Sequence, residues 1–160
     1  MSRIQLALNV DNIDEAVTFY SKLFDTLPAK TRPGYANFAI ANPPLKLVLL
    51  ENPGQGGTLN HLGVEVDSVD VVDAEQTRLA EAGFASIDER GTTCCYAKQD
   101  KFWVEGTPSG ERWEIYTVLA DSATFFGEQT DGPACCGADT TENYNTTGTT
   151  ETAATAAACC

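Results

Sequence analysis

The sequence predicts an α+β fold made of two βαβββ modules, followed by an acidic tail. Three observations carry that reading. The segment Ile4–Asp14 is echoed by Asn60–Asp70, 56 residues later. Each copy is a period-two strand with an apolar face, and each runs into a helical pattern. After about Asp121 the composition shifts to Thr, Ala, Gly, Asp and Glu, with few large apolar residues beyond Phe125 and Phe126.

In the two first strands, Leu6, Leu8 and Val10 match Leu62, Val64 and Val66, and Gln5, Ala7 and Asn9 match His61, Gly63 and Glu65. The first helix is expected to begin near Asn12 or Asp14. Ala16, Val17, Phe19, Tyr20, Leu23 and Phe24 recur at helical spacing, and Asp11 or Asn12 can cap the exposed N–H groups. Strands are expected near Ala29–Arg32, at Tyr35–Ile40 and at Leu45–Glu51, the last two joined by Asn42-Pro43-Pro44. The second helix should run from about Val69 to Ala82 and stop at Gly83, a residue suited to the left-handed cap. Strands should follow at Phe84–Glu89, within Cys95–Val104 and at Arg112–Leu119. The expected modules are residues 1–57 and 58–120. The tail, 121–160, lacks the apolar surface to offset its ordering entropy and is expected to be disordered.

The formal net charge of −13 argues against phosphate backbones and anionic lipid surfaces, so neither nucleic acid nor membrane partners are expected. No apolar run approaches the roughly 18 residues of a spanning helix. The start, MSRIQLALNV, has no secretory pattern, which points to a cytoplasmic protein with reduced thiols.

The six cysteines fall as three adjacent pairs: Cys94–Cys95, Cys135–Cys136 and Cys159–Cys160. Neighbouring cysteines staple nothing distant. Reduced, they offer two soft thiolates at short range, which suits a thiophilic metal or metalloid. Trivalent arsenic forms three bonds, so an arsenical already carrying one carbon is completed by two sulfurs. Adjacent strand residues point to opposite faces, so both sulfurs reach one arsenic only if the backbone at Cys94–Cys95 is irregular. Gly91-Thr92-Thr93 suggests a loop there, one that could move and carry arsenic inward. Cys135, Cys136, Cys159 and Cys160 are candidate accessory thiols, for scavenging or idle.

Two βαβββ modules with a polar residue at each first strand (Gln5 and His61), and a glutamate in Gly110-Glu111-Arg112-Trp113-Glu114-Ile115-Tyr116, resemble the vicinal-oxygen-chelate superfamily over about residues 1–120. The resemblance implies a mixed sheet curled into a cup. By it, Gln5, His61 and Glu114 are the metal ligands, and catalysis runs through that metal. A lone strand His or Gln is usually a solvated side chain, and Glu114 taken singly reads as a solvent-face residue. The repeat makes the three credible together. Three N and O donors on one side of a metal leave positions open, as in the facial triads of non-haem Fe(II) oxygenases. Isomerases of the superfamily use a fourth ligand from the last strand of the first module. Leu45–Leu50 has no carboxylate, which favours direct binding of O2 or substrate.

The runs Met1–Val10, Arg32–Ile40, Pro43–Leu49 and Thr93-Cys94-Cys95-Tyr96-Ala97 closely resemble the Fe(II)-dependent carbon–arsenic lyases and their cadmium-induced relatives. This resemblance implies Fe(II) at Gln5, His61 and Glu114, with O2 as co-substrate. It implies a trivalent organoarsenical, such as methylarsenite or an aromatic arsenical, held by Cys94 and Cys95 and cleaved to arsenite. The alternatives are a Cd(II)- or As(III)-sequestering protein on the same fold, or another extradiol-type dioxygenase. Either a monomer or a homodimer fits.

Overall fold

The structure, a computed structural model, describes residues 2–127. Its elements are β1 (Arg3–Val10), α1 (Ile13–Phe24), β2 (Lys30–Arg32), β3 (Tyr35–Ile40), β4 (Leu45–Glu51), β5 (Leu59–Glu65), α2 (Val69–Glu81), β6 (Ser86–Cys94), β7 (Ala97–Val104) and β8 (Trp113–Asp121). The βαβββ order therefore occurs twice. All strands join one mixed sheet in the order β2-β3-β4-β1-β5-β8-β7-β6, parallel at β1·β4 and β5·β8. The sheet curls far enough for Lys30, on one edge strand, to donate to the Tyr96 carbonyl in the turn between β6 and β7.

The convex face carries the helices. On α1, Ile13, Ala16, Val17, Tyr20 and Phe24 pack on Ala36, Phe38, Ile40, Leu47 and Leu49, with Leu6, Leu8 and Val10 completing the core. Phe19 and Leu23 turn outward and are 59% and 58% exposed. They lie one residue round the helix from the face centred on Ala16 and Tyr20, and the sheet does not reach them. The Asn12 side chain caps α1 by accepting from the Glu15 N–H. Asp11 acts elsewhere. Its carboxylate accepts from the N–H groups of Gly54 and Gly56 and ties down the loop before β5. Under α2, Val72 and Leu79 meet Val66, Phe102 and Ile115, and Gly83 follows the helix at φ +88°.

Strands β3 and β4 have the expected bounds, whereas β6 runs further than its sequence suggests. It continues through Gly91 to Cys94 past an irregularity in its pairing with β7 between Glu89 and Thr92. Gly91 takes φ +59° there and its N–H donates to Asp100. A glycine in a strand often marks such a bulge, and here it resembles a loop only in sequence.

Candidate metal centre

The concave face places polar side chains in rows, because facing residues of neighbouring strands point the same way. Lys46, Gln5, Gly63, Glu114 and Trp103 form one row across β4, β1, β5, β8 and β7. Arg3, Glu65, Tyr116 and Lys101 form the next. Gln5 and Glu114 are two strands apart, about 9.5 Å between backbones. They meet because Gly63, between them, has no side chain. A Cβ there would lie 3.2 Å from both Gln5 Cβ and Glu114 Cγ.

Gln5, His61 and Glu114 converge on one point. Gln5 Nε2 is 2.9 Å from His61 Nε2 and 2.8 Å from Glu114 Oε1. His61 Nε2 is 3.3 Å from Glu114 Oε1. The residues are 4%, 2% and 3% exposed, respectively. On the far side of the imidazole, Nδ1 lies 2.7 Å from Asn60 Oδ1. Asn60 is oriented by donating to Asn9, which in turn donates to Thr58. This chain gives the hydrogen to Nδ1 and leaves the Nε2 lone pair facing the centre, the arrangement that suits a metal-binding histidine. Trp103 packs edge-on to the ring at 5.6 Å.

Lys101, 2% exposed, holds Glu114 from behind, its Nζ 3.0 Å from Oε2 and 3.5 Å from a Glu89 oxygen. Burial alone would raise the Glu114 pKa. The Lys101 ammonium, with contacts to His61, overcomes this and holds the carboxyl well below the usual carboxylate range. Burial likewise opposes the charge on Lys101, but Glu114 and Glu89 raise its pKa above the usual lysine value. Glu114 is therefore an anion with Oε1 turned to the centre.

Among the described residues there is no cluster of three or more His, Cys, Asp and Glu side chains suited to a metal. The donor set at this centre is completed by an amide. One imidazole nitrogen, one carboxylate oxygen and one amide suit a divalent ion of intermediate softness. The amide oxygen, the atom a cation takes, faces away, 2.6 Å from the Tyr116 hydroxyl. The residues fit a metal with that amide turned over.

Cys94 ends β6, and Cys95 and Tyr96 form a two-residue hairpin turn at φ 55° and 61°. Left-handed conformation at both central positions is the geometry that usually takes Asn-Gly. It turns the chain so that the two sulfurs lie 3.2 Å apart. The adjacent thiols can thus share a target that a regular strand would deny them. Cys94 is disulfide-bonded in this structure, so the pair becomes a dithiol on reduction.

The turn is braced. Tyr96 contacts the rings of Tyr35 and Phe125 and lies under the Arg32 guanidinium. Its carbonyl accepts from Lys30 and from the Ser122 N–H. Cys95 packs on the cluster of Ala7, Tyr35, Val48 and Leu50. Ala7 lies two residues from Gln5 on the same face of β1, so Cys95 stands beside the buried centre. Enclosure among protein atoms pushes the Cys95 thiol up to about 12, with the Glu114 charge adding to it. The tail thiols Cys135, Cys136, Cys159 and Cys160 lie outside the described residues, but residues 121–127, expected to belong to a disordered tail, are ordered: Asp121 ends β8 and Phe125 packs its ring against Tyr35 and Tyr96.

The sequence alone does not single out Lys101, Tyr116, Asn60, Lys46 or Glu65. Alternation places Tyr116 on the face of Glu114, and Glu65 on the face of His61, so these two had a signal. No comparable signal marks Lys101, since a strand lysine is ordinarily exposed.

A curled mixed sheet of paired βαβββ units around a polar centre defines a vicinal-oxygen-chelate fold. The signature of the Glyoxalase/Bleomycin resistance protein/Dioxygenase superfamily matches residues 3–115, and the chain belongs to that family. It is 66% identical over 143 residues to the cadmium-induced protein CadI of Mycobacterium tuberculosis, covering 85% of this chain and 93% of that protein. It is 56% identical over 137 residues to a trivalent organoarsenical cleaving enzyme of Thermomonospora curvata, covering 85% and 89%. Among solved structures, the Mn(II)-bound glyoxalase of Novosphingobium aromaticivorans shares the fold, with a TM-score of 0.54 at 18% identity over 77% of this chain and 42% of that one.

Proposed function

We propose that the protein is an Fe(II)- and O2-dependent carbon–arsenic lyase that converts trivalent organoarsenicals, methylarsenite or aromatic arsenicals, to arsenite. The observation that carries this reading is the seating of a two-thiol turn on Ala7, beside the buried Gln5, His61 and Glu114. Similarity to proteins named for organoarsenical cleavage supports it. When bound by those three side chains, Fe(II) would supply O2 activation.

The chain's own residues bind and aim the substrate. Each thiol condenses with one hydroxyl on arsenic: a sulfur–arsenic bond forms, an arsenic–oxygen bond breaks, and the thiol proton leaves in water. The thiolate is the nucleophile, so the proton that burial holds on Cys95 must pass to the leaving hydroxide as the sulfur–arsenic bond forms. Two sulfurs fix the arsenic, so its single carbon points in one direction. Positioning of this kind supplies up to about 7–11 kcal/mol in the best-oriented reactions. Lys101 keeps Glu114 ionised. Lys46 stands in the β4 position beside Gln5 and provides no carboxylate, which supports a three-ligand centre with open positions. A cytoplasmic location belongs to the proposal, since the dithiol needs a reducing compartment.

The test is arsenic speciation after methylarsenite is added to reduced protein, with and without Fe(II) and O2. Arsenite release that requires both supports the lyase. The similarity to a cadmium-induced protein favours one rival, sequestration of Cd(II) or As(III). Stoichiometric binding with methylarsenite recovered intact would favour it.

A further inference from the structure

The Tyr116 hydroxyl is over-subscribed. Its oxygen lies 2.6 Å from Gln5 Oε1 and 2.8 Å from Glu65 Oε2, and it accepts from Lys46 Nζ at 2.9 Å. A phenol has one hydrogen. It can serve Gln5 or Glu65, and the other oxygen is then left at hydrogen-bond distance with no proton between. Lys46 and Arg3 also hold Glu65, at 3.0 Å each, so the carboxylate cannot withdraw.

At the other end of the Gln5 amide the opposite holds. Its NH2 donates to Glu114 Oε1 and to His61 Nε2, satisfying both. Turning the amide by half a rotation exchanges the two ends without changing its shape. Nε2 would then donate to the Tyr116 oxygen, and the Tyr116 hydrogen would go to Glu65, so every partner there is served. The amide oxygen would face the His61 lone pair and the Glu114 carboxylate. Three acceptors that close repel one another unless a cation lies among them.

We propose that the Gln5 amide turns over when a divalent cation enters, and that Tyr116, fixed by Glu65 and Lys46, is the positioning residue that favours the turned state. This rests on the metal reading above. Without a cation the centre is satisfied and the Tyr116 end is not. With one, both ends are satisfied. The network thus stores a preference for the metal-ready amide in residues that never touch the metal, in the manner of outer partners that tune metal ligands.

The probe is Zn(II), which is diamagnetic, added to the full chain. In 15N-labelled wild type, the Gln5 side-chain NH2 resonances should shift on Zn(II) binding, with new NOEs from those hydrogens to the Tyr116 ring. Y116F should weaken Zn(II) by roughly tenfold. In a Gln5→Glu background, whose two oxygens make turning irrelevant, the same change should cost less than about twofold. Unshifted Gln5 NH2 resonances, or an equal Y116F loss in both backgrounds, would overturn the proposal while leaving the metal reading intact. Unchanged Zn(II) affinity in H61A would overturn the metal reading itself. The wild-type spectrum decides the matter even if a variant fails to fold.

Discussion

Lys101 Nζ lies 3.0 Å from Glu114 Oε2 in a space where neither residue is more than 3% exposed. A buried carboxylate and a buried ammonium each carry a large desolvation cost, and each is tolerable only with the other. The pair leaves the second carboxylate oxygen, Oε1, turned toward Gln5 and His61.

Replacing Lys101 with Met should leave Glu114 as an uncompensated buried charge. Removal of one partner from such a pair costs about 3–5 kcal/mol. Urea denaturation should show a loss of that size. The Glu114 pKa, followed by 13C NMR of its carboxyl, should rise, since the charge that held it down is gone. A loss below about 1 kcal/mol would mean that Glu89 and Lys101 are not organised around Glu114.

Gly63 is required by the row geometry. Gly63→Ala would set a methyl 3.2 Å from both Gln5 Cβ and Glu114 Cγ, tighter than an ordinary contact. Crowding of a packed interior costs about 1–3 kcal/mol. The side chains should also be pushed apart, with weaker divalent-ion binding by calorimetry. Unchanged affinity would show that the strands relax around the methyl.

The acid limb of stability should report Glu65. Burial raises its pKa, but Lys46, Arg3 and Tyr116 together hold it below its ordinary 4.5. A group lowered in the folded state stabilises fully above its unfolded value, and the contribution is lost as pH falls through the folded value. The urea midpoint of wild type should therefore decline below about pH 4.5 more steeply than that of Glu65→Gln. Parallel declines would remove Glu65 from the account.

Cys94→Ser and Cys95→Ser should each abolish methylarsenite turnover by orders of magnitude while leaving Fe(II) affinity nearly unchanged. A serine hydroxyl stays protonated and is a hard, weak donor, so arsenic keeps one sulfur at most. Serine at Cys135, Cys136, Cys159 or Cys160 should do far less. Arsenite release and Fe(II) binding across the six variants check this, and an equal fall in all six would point to collective sequestration.

Much of this architecture is legible in the sequence because a repeat is a strong signal. Matching Gln5 to His61 supplies two of the three converging side chains, and alternation on β8 turns Glu114 inward with Tyr116. The bounds of β3 and β4 follow from apolar runs flanking Asn42-Pro43-Pro44. The hairpin at Cys95-Tyr96 is not legible as a turn, since neither residue favours positive φ, and a disfavoured local conformation is a sign of function more than of propensity. Gly91 misleads, because a bulge glycine and a loop glycine look alike in sequence. The role of Lys101 depends on the Glu114 charge carried by the neighbouring strand, and nothing beside Lys101 in the chain reveals it.

The most direct test is arsenic X-ray absorption on anaerobic, reduced, Fe(II)-loaded protein with methylarsenite, before and after O2. Before O2 the arsenic shell should hold two sulfurs and one carbon. After O2 the carbon should be lost, with oxygen or sulfur in its place. A shell of three sulfurs at the start, or a carbon that persists through O2 exposure, would contradict the lyase reading.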